Sequence, residues 1–218
     1  MKFCSLASGS SGNCLVASAG HTTVLIDAGL SGIRVQRALA DADIDPAKLS
    51  AILVTHEHRD HIHGVGVLAR RFKLPVYANA GTWRAMAPDL GKLADHQKRV
   101  FVTGQAFDIG DMEIDSFATS HDAAEPVGVT LTDGQSAMGI ATDTGTPTSA
   151  MSGPFGQGAR GAGVQSRCGH APDGALSLSP QAAHRRGSGT FVQQNRGQRR
   201  GGPGGPWHDA ADFGPFEP

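Results

Sequence analysis

The sequence predicts an α/β domain followed by a segment that cannot build a core of its own. From Met1 to Gly145, short β-rich runs alternate with helical patterns, and after Gly145 that alternation stops. A continuous apolar run, AILVTH, also leads straight into the cluster THEHRDHIHG (Thr55 to Gly64), so a buried strand delivers four histidines and two acids to its end.

The elements follow in order. CLVASAG and TTVLIDAG are rich in β-formers, and the second predicts a strand over Thr22 to Ile26. IRVQRALADA has apolar residues at helical spacing and predicts a helix over Gly32 to Ala40. AILVTH predicts a strand over Ala51 to Thr55, and GVGVLARRF a helix over Gly64 to Phe72. LPVYAN, GTWRAMA and PVGVTLTDG continue the alternation, with further strands over Glu113 to Thr119 and Met138 to Thr142. Residues 1–145 are therefore read as one α/β unit. Residues 146–218 hold two Leu, two Val, no Ile and no Lys, but 15 of the 30 Gly and 8 of the 12 Pro. That composition buries too little apolar surface to offset its chain entropy, so a disordered tail is expected.

The bulk numbers exclude little. With 39% hydrophobic residues the chain of 218 can bury a core, and a formal net charge of -1 gives no general pull toward nucleic acid or an anionic membrane. Three cysteines, Cys4, Cys14 and Cys168, at irregular spacing argue against a disulfide framework and for a reducing compartment. Cys4 and Cys14 are read as small buried strand residues. The N-terminal apolar run is too short for a signal peptide, and no stretch approaches a membrane span, so a cytoplasmic protein is expected.

The cluster carries the chemistry. His56, His58, Asp60 and His61 are expected on a loop leaving the strand, where residues two apart point one way and the next pair reaches a second point. That spacing suits two metals, and imidazole with carboxylate suits Zn, Mn or Fe in attack on phosphorus or a carbonyl carbon. Glu57, Arg59 and His63 match no ligand position and are expected to be solvated loop residues. Arg34, Arg37, Arg70, Arg71 and Arg84 are scattered and read as solvated rather than as a phosphate-tracking face.

THEHRDH together with LIDAG resembles the metallo-β-lactamase fold superfamily, and MKFCSLASGSSGNCLV, LPVYANAGTW and SHDAAEPVG resemble its YycJ/WalJ-like branch. The resemblance covers Met1 to Gly145 and implies an αββα sandwich, here incomplete, with metals at one edge. It implies that His56, His58 and His121 hold one metal, that Asp60 and His61 hold a second, and that Asp143 bridges. Asp60 and His61 are also the residues it assigns to catalysis. Asp27 would orient a ligand histidine from behind, and Ser10 and Asn13 would line the substrate cleft. Two divalent ions, Zn or Mn, are expected in the intact site.

The family pattern ends in one more histidine, in a GHLSN-like stretch, and this chain has none. The tail offers only His170 and His184, in HAPDG and AAHRRG. The codons required by Thr190 to Gln194, read one base later, permit His-Leu-Ser-Asn after a Gly, and the same shift over Ser166 to Leu178 permits another stretch typical of the branch. The tail is therefore expected to be the parent gene read out of frame after Gly145, leaving at most one tightly bound metal. The expected function is a metal-dependent hydrolase of the phosphodiesterase or nuclease type, acting as a DNA or RNA exonuclease, with nucleic acid or another phosphodiester as substrate and no membrane partner. The alternatives are a glyoxalase II-like thioesterase or lactamase, and an inactive metal-binding remnant.

Overall fold

The computed structural model describes residues 1–144, 190–195 and 208–209. Strands β1 (Lys2–Ala7), β2 (Cys14–Ala19) and β3 (Thr22–Ile26) form an antiparallel meander, and β4 (Ala51–Leu53), β5 (Val76–Asn79) and β6 (Lys98–Phe101) extend it in parallel from β3. Parallel neighbours need crossovers. Helix α1 (Gly32–Asp41) supplies the first, α2 (Arg59–Ile62) with α3 (Val65–Phe72) the second, and α4 (Ala80–Leu90) the third.

A second, antiparallel sheet contains β7 (Phe107–Ile109), β8 (Met112–Ala118), β9 (Val127–Thr132), β10 (Ala137–Thr142) and β11 (Thr190–Asn195). A two-residue strand, β12 (His208–Asp209), pairs with β1 at the edge of the first sheet.

Strand alternation sorts the core into two layers. Val24 and Ile26 of β3 and Ala51 and Leu53 of β4 meet Ile114, Val129, Leu131 and Ile140 between the sheets. Leu25 and Ile52 face the opposite way and pack with Val35, Leu39, Leu68 and Met86 of the helices. Glu113 and Asp115 on β8 are exposed. The described residues form a helix, sheet and sheet stack, as expected for the αββα sandwich.

Several element ends differ from the sequence expectation. β4 stops at Leu53 because the Thr55 N–H and hydroxyl turn to the Asp27 carboxylate instead of continuing a ladder. The edge strand β6 went unread, since its exposed Lys98 and Arg99 mask the strand pattern, as charges on edge strands do. In the segment expected to lack a core, β11 pairs with β10 from Thr142↔Thr190 to Ala137↔Asn195. TFVQQN carries β-forming residues, and the edge of β10 offers it a ladder. Apart from β11 and β12, that segment lies outside the described residues, as do His170 and His184.

Cys14 is free and buried. Cys4, buried as expected, is disulfide-bonded, a single bond that the expectation against a disulfide framework did not foresee. Spacing along a sequence does not reveal which sulfurs a fold brings into bonding range. Among the described residues, no helix is long and apolar enough to cross a membrane.

Candidate metal centre

The end of β4 delivers the site. His56 lies just beyond the strand, outside any helix, and is 1% exposed. Asp60 and His61 do not continue on an open loop as expected. They sit on the single turn α2, whose His61 N–H donates to the His58 carbonyl at 2.8 Å. The turn forms because the rest of the fold takes up its outward carbonyls. Asn13 N–H donates to Asp60 O and Ala28 N–H to His61 O, both at 2.7 Å.

Gly29, the last residue of LIDAG, makes that approach possible, since a Cβ there would lie 1.6 Å from the Asp60 carbonyl oxygen. The glycine is required by close backbone contact.

Behind the turn, Asp27 is fully buried and accepts three bonds. They come from the Thr55 N–H (2.9 Å), the Thr55 hydroxyl (2.8 Å) and His61 Nδ1 (2.7 Å). On the other side of the imidazole, His61 Nε2 is 2.6 Å from Asp143 Oδ2. Both carboxylates are on left-handed backbone, φ 58° for Asp27 and 52° for Asp143, a local strain of the kind that functional sites retain.

Two groups of donor atoms share His56. One is His56, His58 and His121, and the other is His56, His61 and Asp143; within each, one ligand atom per residue lies within 4.8 Å of the others. His58 Nδ1 and His121 Nε2 are 3.0 Å apart, and His56 Nε2 is 3.8 Å from Asp143 Oδ2. His56 Nε2 and Asp143 Oδ1 are buried and have no hydrogen-bond partner. Orphaned buried polar atoms are uncommon in folded proteins and call for a ligand or ion. Nitrogen and carboxylate donors converging with two acceptors to spare fit a divalent cation.

The electrostatics agree with that fit. Burial, joined by the His61 charge, pushes the His56 imidazole down to about 3, so its lone pair is available at neutral pH. Burial also opposes the charge on His61, but Asp27 and Asp143 flanking the ring outweigh it and raise the group to about 10. Asp143 is held below its ordinary range, since the facing His61 and His56 more than offset its own burial. A proton on His61 thus occupies a place that a cation would take.

The fold brings His56, His58, His61, His121, Asp143 and Asp27 into one cluster. Asp60 is at its margin, with its side chain 31% exposed and Oδ2 3.9 Å from His61 Nε2. Asn13, 2% exposed, places Nδ2 2.9 Å from His61 Nε2 and accepts the Gly9 N–H on Oδ1. Ser10 is exposed in the turn between β1 and β2.

Two acids escaped the sequence reading. Glu57, expected in solvent, instead accepts the Ala124 N–H at 2.7 Å and has Oε2 buried. Glu125 accepts from Gly81 N–H and the Thr103 hydroxyl. Neither contact has a local sequence signal, because each joins residues far apart in the chain. Arg70 donates to the Leu90 carbonyl, so it braces helices rather than standing free.

A family model described as "Metallo-beta-lactamase superfamily" matches residues 7–185, past the boundary expected at Gly145. The chain is 44% identical over 153 residues to Exodeoxyribonuclease YycJ of Bacillus anthracis, covering 70% of this chain and 58% of that protein. It is 44% identical over 154 residues to Exodeoxyribonuclease WalJ of Streptococcus pneumoniae serotype 2, covering 70% and 57%. These matches span little more than half the length of the relatives. Among solved structures, the metallo-beta-lactamase fold protein YhfI from Bacillus subtilis is similar with TM-score 0.51 at 20% identity, over 62% of this chain and 60% of that one. Rm3 metallo-beta-lactamase is similar with TM-score 0.51 at 22% identity, over 59% and 54%. Both show the fold alone.

Proposed function

The chain belongs to the metallo-beta-lactamase superfamily, and from that premise we propose that it is built as a metal-dependent phosphodiesterase of the nuclease type, acting on DNA. The observation that carries the reading is the His56-centred cluster, in which two donor groups meet at one histidine and two buried acceptor atoms lack partners. The exodeoxyribonuclease names of the two relatives support DNA as the polymer.

In this reading His56, His58 and His121 hold one divalent ion, and Asp60, His61 and Asp143 serve a second. Zn or Mn suits these donors. Bound ions supply Lewis-acid activation and neutralise phosphate charge. The chain's own residues do the rest. Asp27 fixes the His61 ring through Nδ1, directing Nε2 into the site. The Thr55 hydroxyl, 3.0 Å from His56 Nδ1, steadies the second buried ring from behind. Asn13, with Nδ2 2.9 Å from His61 Nε2, borders the second donor group.

A specific observation favours a second reading, that this chain holds one ion tightly and turns over little. Among the described residues, the second group has only His61 and Asp143 as buried donors of its own, with Asp60 half-exposed at its margin. We infer the cause to be a frame slip after Gly145 that removes the last ligand histidine. The missing GHLSN-like stretch and the Gly- and Pro-rich composition after Gly145 support this. Resequencing codons 145 to 160 tests it, and an uninterrupted frame shared by related strains would sink it.

The experiment on function is hydrolysis of bis-p-nitrophenyl phosphate and of single-stranded DNA against a thioester, with metal counted by atomic spectroscopy on the same samples. Phosphodiester turnover supports the first reading. One retained metal without turnover supports the second, and thioester turnover alone would replace both.

A further inference from the structure

His121 is the imidazole of the cluster that comes from a separate loop, remote in sequence from the stretch bearing His56, His58 and His61. Residues 119–126, between β8 and β9, form a run of bends with no ladder and no helix. One backbone bond, Thr119 N–H to Pro126 O at 3.1 Å, closes the base of the loop. The bonds that tie its C-terminal half to the rest of the molecule involve side chains, and two carboxylates supply the central ones.

From one side Glu57, within the HEHRDH stretch itself, accepts the Ala124 N–H on Oε1 at 2.7 Å. From the other side Glu125 reaches the start of α4. Its Oε2 accepts the Gly81 N–H at 2.8 Å and its Oε1 the Thr103 hydroxyl at 2.7 Å. Asn79, which caps α4 by accepting the Thr82 N–H at 2.9 Å, also donates to the Glu125 carbonyl at 2.7 Å.

The socket has no room to spare. A Cβ on Gly81 would lie 2.5 Å from Glu125 Cβ and 2.7 Å from its Oε2. A carboxylate at a helix N-terminus is also favoured by the free amides and the helix dipole. The loop is thus gripped at consecutive residues from two directions, three and four positions after His121.

We propose that Glu57 and Glu125 are positioning residues that clamp the 119–126 loop and present His121 to His56 and His58. The proposal rests on the metal reading of those three histidines. It assigns a task to a residue inside the motif that no ligand position claims: Glu57 couples the loop bearing His56 and His58 to the loop bearing His121. A ligand held on irregular backbone must otherwise be ordered by the metal itself, at the expense of affinity.

The test uses the full chain and Zn(II) alone as probe, with affinity read by chelator competition at fixed pH. Amide exchange at Ala124 in the metal-free protein is the second readout. Glu57→Ala and Glu125→Ala are expected to weaken Zn(II) binding about 10- to 100-fold, the range known for losses behind a ligand, and to speed exchange at Ala124. Glu57→Gln and Glu125→Gln keep a carbonyl acceptor and should remain within about threefold of the parent.

Gly81→Ala attacks the clamp from the other side of the contact. Its methyl would press on the Glu125 Cβ at 2.5 Å, so Glu125 should be displaced and Zn(II) affinity should fall. A thermal melt on every variant and the near-parental Glu57→Gln and Glu125→Gln proteins separate a lost clamp from a lost fold. Alanine variants at Glu57 and Glu125 that bind Zn(II) like the parent, while His121→Ala loses binding, would overturn the clamp. If His121→Ala itself binds like the parent, the metal reading of His121 fails and the proposal falls with it.

Discussion

His58 and His121 come within 3.0 Å of each other, yet the loops that bring them are held in opposite ways. The segment from His56 to Gly64 is fastened through its main chain. Asp60 O and His61 O accept the Asn13 and Ala28 amides, and the Gly64 N–H donates to Ala28 O. The 119–126 segment is fastened chiefly through side chains, with Glu57 and Glu125 as its anchors. A main-chain clamp depends on what is absent, such as a Cβ at Gly29. A side-chain clamp depends on what is present, and it is open to graded loss. The two donor groups should therefore respond differently to substitution.

The largest effect is expected at Gly29. Gly29→Ala forces a methyl against the Asp60 carbonyl, and a loss of about 4 kcal/mol or outright unfolding should appear in a urea melt. A folded variant with parental stability would show that α2 is not locked in this way.

Asp27→Ala comes next. It leaves the Thr55 amide, the Thr55 hydroxyl and the His61 ring without their buried acceptor, at roughly 1–3 kcal/mol for each stranded donor before the site relaxes or water enters, so a loss of at least about 3 kcal/mol is expected in the same measurement. Metal affinity should fall alongside it.

Opposed protonation of the two buried histidines predicts a peaked pH profile for the metal-free protein. His61 has a folded value near 10, above its ordinary 6.5, so its contribution is complete below pH 6.5 and is lost as pH rises through 10. His56, held near 3, contributes above pH 6.5 and loses that contribution as pH falls toward 3. Melting followed across pH should show a maximum near 6.5. His61→Gln should flatten the alkaline limb and His56→Gln the acid one. An alkaline limb unchanged in His61→Gln would remove the imidazolium from the picture.

The smallest effect is expected on the side-chain-clamped loop itself. Asp122 Oδ1 is 3.1 Å from His121 Nδ1, but its side chain is 88% exposed and solvent screens it. Asp122→Ala should change Zn(II) affinity by no more than about threefold. A loss as large as that for Glu57→Ala would mean that His121 is oriented from the solvent side, and the contrast between the loops would need redrawing.

The strands and helices that frame the site were legible because their periodicity is local. Thr22–Ile26 is a strand at the residues expected, and α1 begins at Gly32 as its apolar spacing implies. The cluster around His56 was legible for the same reason, since four of its donors lie within six residues after one buried run. His121, Asp143 and Asp27 were tied to it only through resemblance, and the fold now sets them beside it.

What no local pattern contains is the pairing of distant residues. Glu57 read as a solvated acid because nothing near it in sequence accounts for a partner 67 positions away, and Glu125 meets Gly81 across 44. The one-turn helix at Asp60 and His61 was missed because its carbonyls are satisfied by Asn13 and Ala28, which come close only once β2 and β3 lie beside β4. Side-chain chemistry and short-range periodicity fix which residues could bind a metal and which runs become strands. Only the packed sheets decide how those residues are aimed, because aim depends on backbone groups brought together from remote parts of the chain.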